Sequence, residues 1–115
     1  MNKNIKSLLK KIQEGKSLTI WFDIDGTLAS TENTKYDQAE PDESMIKLSN
    51  MLYDKGHKIY IVTARGATSV IDWVETTKKQ LKNWGVKYHK LIMGYPRDLF
   101  IDDASLRPDE FLNLI

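Results

Sequence analysis

The sequence predicts an α/β fold built on a central parallel sheet. Three observations lead there. Apolar runs rich in β-branched and aromatic residues alternate with segments of helical period, glycines punctuate their ends, and 115 residues leave room for one core only. Residues 18–24, Leu-Thr-Ile-Trp-Phe-Asp-Ile, form a nearly continuous apolar run, which suits a strand covered on both faces. Within it Trp21 and Phe22 read as packing residues. Pro41 sits at a favourable helix-opening position, and Met45, Leu48 and Leu52 recur at helical spacing until Asp54-Lys55-Gly56 ends the pattern. Lys58–Thr63 is the second strand. Val70, Trp73, Val74, Thr77, Leu81 and Trp84 trace one helical face, on which Trp73 and Trp84 read as core, and Gly85 stops it. Leu91–Met93 and Leu99–Ile101 supply two more short strands, and Arg107-Pro108-Asp109-Glu110 opens a short closing helix.

The whole chain, 1–115, reads as a single domain. Residues 1–15 form a basic amphipathic N-terminal helix, with Ile5, Leu8, Leu9 and Ile12 on one side and lysines on the other. Its charged face reads as solvated surface. Seventeen Lys+Arg against sixteen Asp+Glu give a net charge of +1. Nucleic-acid and membrane-surface binders need a surplus of positive charge, so neither partner is expected. With no cysteine there is no disulfide scaffold, no thiolate nucleophile and no Cys-based metal site. The apolar runs fall far short of a membrane span, and no secretory signal is evident. A cytoplasmic location is the expectation.

In a parallel sheet the ligand crevice lies outside the carboxyl ends of the strands. The first strand ends in Asp23-Ile24-Asp25-Gly26-Thr27, the second in Thr63-Ala64-Arg65-Gly66, and the last in Asp102-Asp103. Four carboxylates, a hydroxyl and a guanidinium would meet at one edge. Carboxylates so crowded call for a cation, and hard oxygen ligands select Mg²⁺, which favours a phosphate as further ligand. Asp23 and Asp25, two apart, point to one face of a regular strand. One could attack phosphorus while the other moves the proton. Gly26 lets the chain turn sharply and aim amides at an anion, and Thr27 holds the turn. Any one of these pieces is a common turn or cap; their joint occurrence at three strand ends carries the reading. His57 and His89 precede strands, at the edge away from the crevice, and read as plain surface or loop histidines. No GxxxxGK[ST] fingerprint is present, which speaks against an ATP-dependent kinase.

Asp23-Ile24-Asp25-Gly26-Thr27-Leu28 resembles the first motif, DxDGT, of the haloacid dehalogenase-like (HAD) phosphohydrolases. Ile61-Val62-Thr63-Ala64-Arg65-Gly66 resembles their second motif, and Leu99-Phe100-Ile101-Asp102-Asp103 their acidic fourth. In detail the chain is similar to small cap-less members of capsule or sugar biosynthesis. The resemblance implies a three-layer, Rossmann-like α/β fold without a cap domain and a Mg²⁺-dependent phosphomonoester hydrolase. It implies Asp23 as nucleophile and metal ligand, and Asp25 as general acid/base with its carbonyl on the metal. Thr63 would hold the phosphoryl group together with Gly26, Thr27, Ala64 and Arg65, while Asp102 and Asp103 hold Mg²⁺. One departure stands out. The lysine of the third motif is absent, since this chain reads Gly94-Tyr95-Pro96-Arg97. Arg97 is the best substitute, Arg65 another candidate, and Lys90 belongs to the wrong end of its strand. Without such a cation the chain would be a catalytically weak phosphate- and metal-binding protein; transfer to an acceptor other than water would use the same residues.

Residues 29–40 match the position of the family's flap, in which Lys35 and Tyr36 are candidate substrate contacts. A dozen residues cannot build a cap domain, so the crevice is expected to be open. That suits a sugar phosphate or a larger phosphorylated molecule, or a lid borrowed from another subunit in an oligomer.

Overall fold

The computed structural model describes residues 7, 10–67, 72–96, 99, 101 and 105–113. Three parallel strands form the central sheet: β1 (Thr19–Phe22), β4 (Lys58–Val62) and β5 (Lys90–Ile92), in the order β1-β4-β5. Between β1 and β4 the chain makes a small antiparallel hairpin of β2 (Ala29–Ser30) and β3 (Glu40–Pro41), with a 3₁₀ turn at Tyr36–Gln38. Helices α1 (Glu43–Asp54), α2 (Val74–Asn83) and α3 (Pro108–Leu112) complete an α/β architecture in which helices flank the sheet. Residues 10–13 are also helical.

Helix α1 begins at Asp42, whose Oδ1 accepts the Met45 N–H at 3.1 Å and so satisfies a first-turn amide. The sequence places Pro41 at the helix opening; the structure gives that role to Asp42, with Pro41 in β3. Met45, Ile46, Leu48 and Leu52 point inward from α1. They meet Phe22, Ile24, Leu28, Ile59, Ile61, Leu81 and Val86 in one core, and each such side chain contributes about 1.5–3 kcal/mol on burial. Gly56 ends the helix at φ +95°, a backbone region that L side chains avoid. From α2, Thr77 and Leu81 are fully buried. Phe111 of α3 packs edge-on against Phe22, 6.1 Å between ring centres.

Two strand expectations change. Trp21 is 53% exposed while Phe22 is buried. The first strand thus alternates, and its apolar run does not report burial on both faces. Trp21 instead leans on Tyr60 of β4, its neighbour in register, at 5.9 Å. Leu99 and Ile101 lie outside any strand and are 74% and 86% exposed. With both side chains in solvent, neither residue gains the buried surface that holds a sheet position, so local apolarity alone does not make a strand here.

His57 is buried rather than superficial. Its Nδ1 accepts the Leu18 N–H at 3.0 Å, and His89 Nδ1 accepts the Ile59 N–H at 3.1 Å while its ring stacks on Tyr53. Both finish backbone pairing at the amino ends of strands.

Candidate active site

The carboxyl ends of β1 and β4 bring the first two motifs together. Ile24 is fully buried in the core, whereas Asp23 and Asp25 on either side of it are half-buried. The odd residue anchors the loop; the two carboxylates face away from the core. Asp23 Oδ1 accepts the Ile24 N–H at 2.8 Å, which fixes its side chain against its own backbone. The turn that follows is closed by its own carbonyls. Gly26, at φ +87°, donates to Ala29 O at 2.8 Å, and Thr27 N–H donates to Ile24 O at 3.1 Å. Both amides are engaged within the turn.

Arg65 differs most from expectation. Its side chain is fully buried, and its guanidinium meets Asp25 side-on, with Nε to Oδ2 at 2.9 Å and Nη2 to Oδ1 at 2.8 Å. Nη1 reaches α2, donating to Thr77 Oγ1 at 3.1 Å and Gln80 Oε1 at 2.6 Å. The Tyr36 ring lies 4.9 Å from its carbon, and Trp73 meets Tyr36 edge-on at 5.1 Å. A buried guanidinium must satisfy its N–H fork, and Asp25, Thr77 and Gln80 do so here. Arg65 is thus the ion-pair partner of Asp25 and not an open phosphate ligand. Thr31 Oγ1 adds a further hydrogen bond to Asp25. Trp73, expected in the core, borders this cluster instead.

Thr63 is buried at the end of β4, and its Oγ1 accepts the Arg65 N–H at 3.2 Å. Ala64, beside it, is exposed, and its carbonyl accepts from Ala67. The loop after β5 is laced to the same place. Gly94 N–H donates to Arg65 O and Tyr95 N–H to Thr63 O, each at 2.9 Å. Position 95, where the resemblance leads one to expect lysine, therefore stands next to Thr63 with its tyrosine half exposed. Lys90 opens β5 in register with Tyr60, the middle residue of β4, two residues before the carboxyl end of the strand. Arg97, Asp102 and Asp103 lie outside the described residues. Among the described residues no group of three or more His, Cys, Asp or Glu side chains could hold a metal ion. The donors that the first motif offers, carboxylates and backbone carbonyls, are all oxygen and would suit a hard cation.

Sequence reasoning did not find Thr77, Gln80 and Thr31 as partners of this cluster. A threonine and a glutamine at i, i+3, next to the apolar stripe of α2, were the signal available for a polar group received there.

No described helix is long and apolar enough to cross a membrane. Residues 17–106 match the family model described as the polynucleotide kinase PNKP phosphatase domain. No curated protein matches the chain. Among solved structures, a structural-genomics target from Vibrio cholerae is 27% identical with a TM-score of 0.74, the match covering 84% of this chain and 87% of that one. The Pnkp1/Rnl/Hen1 complex contains a chain 21% identical with a TM-score of 0.58, covering 85% of this chain and 34% of that one. A second structure, titled as the Pnkp1/Rnl/Hen1 RNA repair complex, matches at 20% identity and TM-score 0.57, over 86% and 32% of the two chains. The last two show a shared fold, and this chain spans about a third of their length. The capsule- or sugar-biosynthesis likeness gains nothing from these matches. The motifs, the fold and the match over residues 17–106 together place this chain in the HAD superfamily, as a member of the polynucleotide kinase PNKP phosphatase domain family.

Proposed function

We propose that this protein is a phosphomonoester hydrolase that works through an aspartyl-phosphate on Asp23. The observation that carries this reading is the pairing of half-buried Asp25, two residues after Asp23, with fully buried Arg65. An ion pair at the end of a strand that carries a second carboxylate is an arrangement for holding a proton-transfer group in place. In the first step Asp23 attacks phosphorus and the ester bond breaks, while Asp25, having taken a proton from solvent on the Oδ2 lone pair that Arg65 leaves open, gives that proton to the leaving oxygen. In the second, Asp25 takes a proton from water as that water attacks phosphorus, releasing inorganic phosphate and the Asp23 carboxylate. Thr63 holds the phosphoryl oxygens, and Arg97 is the proposed cation in place of the missing lysine. Asp23, the Asp25 carbonyl, Asp102 and Asp103 are the proposed Mg²⁺ ligands, and the ion would offset negative charge between nucleophile and phosphate.

For the substrate, a family described as the phosphatase domain of a polynucleotide kinase favours a phosphorylated polynucleotide, and we propose a phosphate at its end. The charge of +1, taken above as evidence against a nucleic-acid partner, opposes binding along a long backbone but not recognition of one phosphorylated terminus. A short flap in place of a cap leaves space for such an end.

The test is turnover of an aryl phosphate with Mg²⁺ by the wild type and Asp23→Asn. The variant is expected to lose activity by about 10³-fold or more. Equal turnover by both proteins excludes the mechanism. An oligonucleotide with a terminal phosphate, assayed against a hexose phosphate, then orders the substrate classes.

A further inference from the structure

Gln80 belongs to α2, yet its amide bonds to two segments remote in the chain. Its Oε1 accepts from Arg65 Nη1 at 2.6 Å, and its Nε2 donates to the Tyr36 carbonyl of the flap at 2.5 Å. The two bonds fix the amide one way round, because a guanidinium can only donate and a carbonyl can only accept. On its far side the guanidinium gives two parallel N–H groups to the two oxygens of Asp25. The plane of Arg65, together with the direct bond from Thr31 Oγ1 of the flap to Oδ1, therefore sets where the Asp25 oxygens lie. Thr77 and Gln80 hold that plane from Nη1, and Tyr36 lies against its face. No hydrogen bond joins Gln80 to Asp25 directly; any influence passes through the arginine.

We infer that Gln80 is a positioning residue that couples the flap to the Asp25 carboxylate through Arg65. The inference rests on the role proposed for Asp25 above. Displacing the Tyr36 carbonyl shifts Gln80, hence the guanidinium, hence the carboxylate that moves the proton. Flap contacts with a bound phosphorylated molecule then act on the rate of the chemical step and not on binding alone. Angular placement is a large part of proton transfer, and a displacement of about 1 Å can cost on the order of 10²-fold in rate.

Two substitutions separate positioning from packing. Gln80→Met fills a similar volume without either hydrogen bond. Gln80→Glu is nearly isosteric, but it loses the donor to Tyr36 and sets a second carboxylate against Arg65 in competition with Asp25. Both are assayed as the full chain with Mg²⁺ and an aryl phosphate, well below each variant's melting temperature, beside Asp23→Asn. Both are expected to lower kcat by about tenfold with KM changed by less than about twofold. Unchanged kcat in Gln80→Met, or a Gln80→Glu that keeps wild-type kcat, overturns the inference. The Arg65 Nε–H resonance in ¹⁵N NMR gives a readout that needs no turnover. It is expected to shift or broaden in Gln80→Met and to stay in place in Asp23→Asn. If the wild type shows no turnover beyond Asp23→Asn, the phosphatase reading falls and the positioning role of Gln80 falls with it; with turnover present, an unmoved Arg65 signal in Gln80→Met overturns the coupling alone.

Discussion

The two ends of the sheet solve one problem in different ways. Every backbone N–H and C=O that leaves the ladder must find a partner. At the amino ends neutral groups supply it: His57 Nδ1 receives Leu18 N–H, His89 Nδ1 receives Ile59 N–H, and Ser17 Oγ donates to Gly56 O. At the carboxyl ends the backbone completes its own pairing, through the turn at Ile24–Ala29 and through the Gly94 and Tyr95 bonds to the second motif. Charged side chains there are left for one another, and Arg65 gathers Asp25, α2 and the flap around itself. A polar residue at a strand end is therefore no sign of a site. Groups of opposite charge arriving from separate elements are.

That contrast can be broken at either end. Arg65→Met removes the hub of the charged end. It is expected to lower turnover by about 10²-fold through loss of Asp25 placement. It should also lower stability by about 3 kcal/mol, the low end for a broken buried pair because a quarter of the Asp25 side chain remains exposed. Denaturant unfolding and aryl phosphate kinetics check both. At the neutral end, His57→Ala strands the Leu18 amide and is expected to cost about 1–3 kcal/mol with kcat unchanged. His57→Asn, whose Oδ1 can stand where Nδ1 stood, should recover part of that loss. A fall in kcat for either variant would mean that the two ends are not separable. The smallest effect concerns the helix between them. Ser49 is fully buried with its Oγ lacking a hydrogen-bond partner among the described residues, so Ser49→Ala is expected to raise stability by about 1 kcal/mol with unchanged activity.

Much of the frame was legible in the sequence because its signals are local. The centres of β1 and β4, the inward stripe of α1, the closing helix and the Asp23-Ile24-Asp25 alternation all follow from period and composition. The hairpin at Ala29–Ser30 and Glu40–Pro41 was not, since two-residue strands carry no periodicity. Nor was the burial of His57, whose role depends on a backbone N–H from a segment 39 residues away. Arg65 reads as a phosphate ligand or a substitute for the lysine until its partners are known, and those partners lie on another strand end, a helix and the flap. The run Leu99–Ile101 misled for the opposite reason: local apolarity at residues whose described side chains, Leu99 and Ile101, stand in solvent.

The most direct measurement is acid-quench labelling with a ³²P-phosphorylated substrate and Mg²⁺. The account predicts protein-bound label that hydroxylamine releases, as it does from an acyl phosphate, with none on Asp23→Asn. Turnover of substrate by the wild type with no label on the protein, or equal labelling of Asp23→Asn, would contradict it.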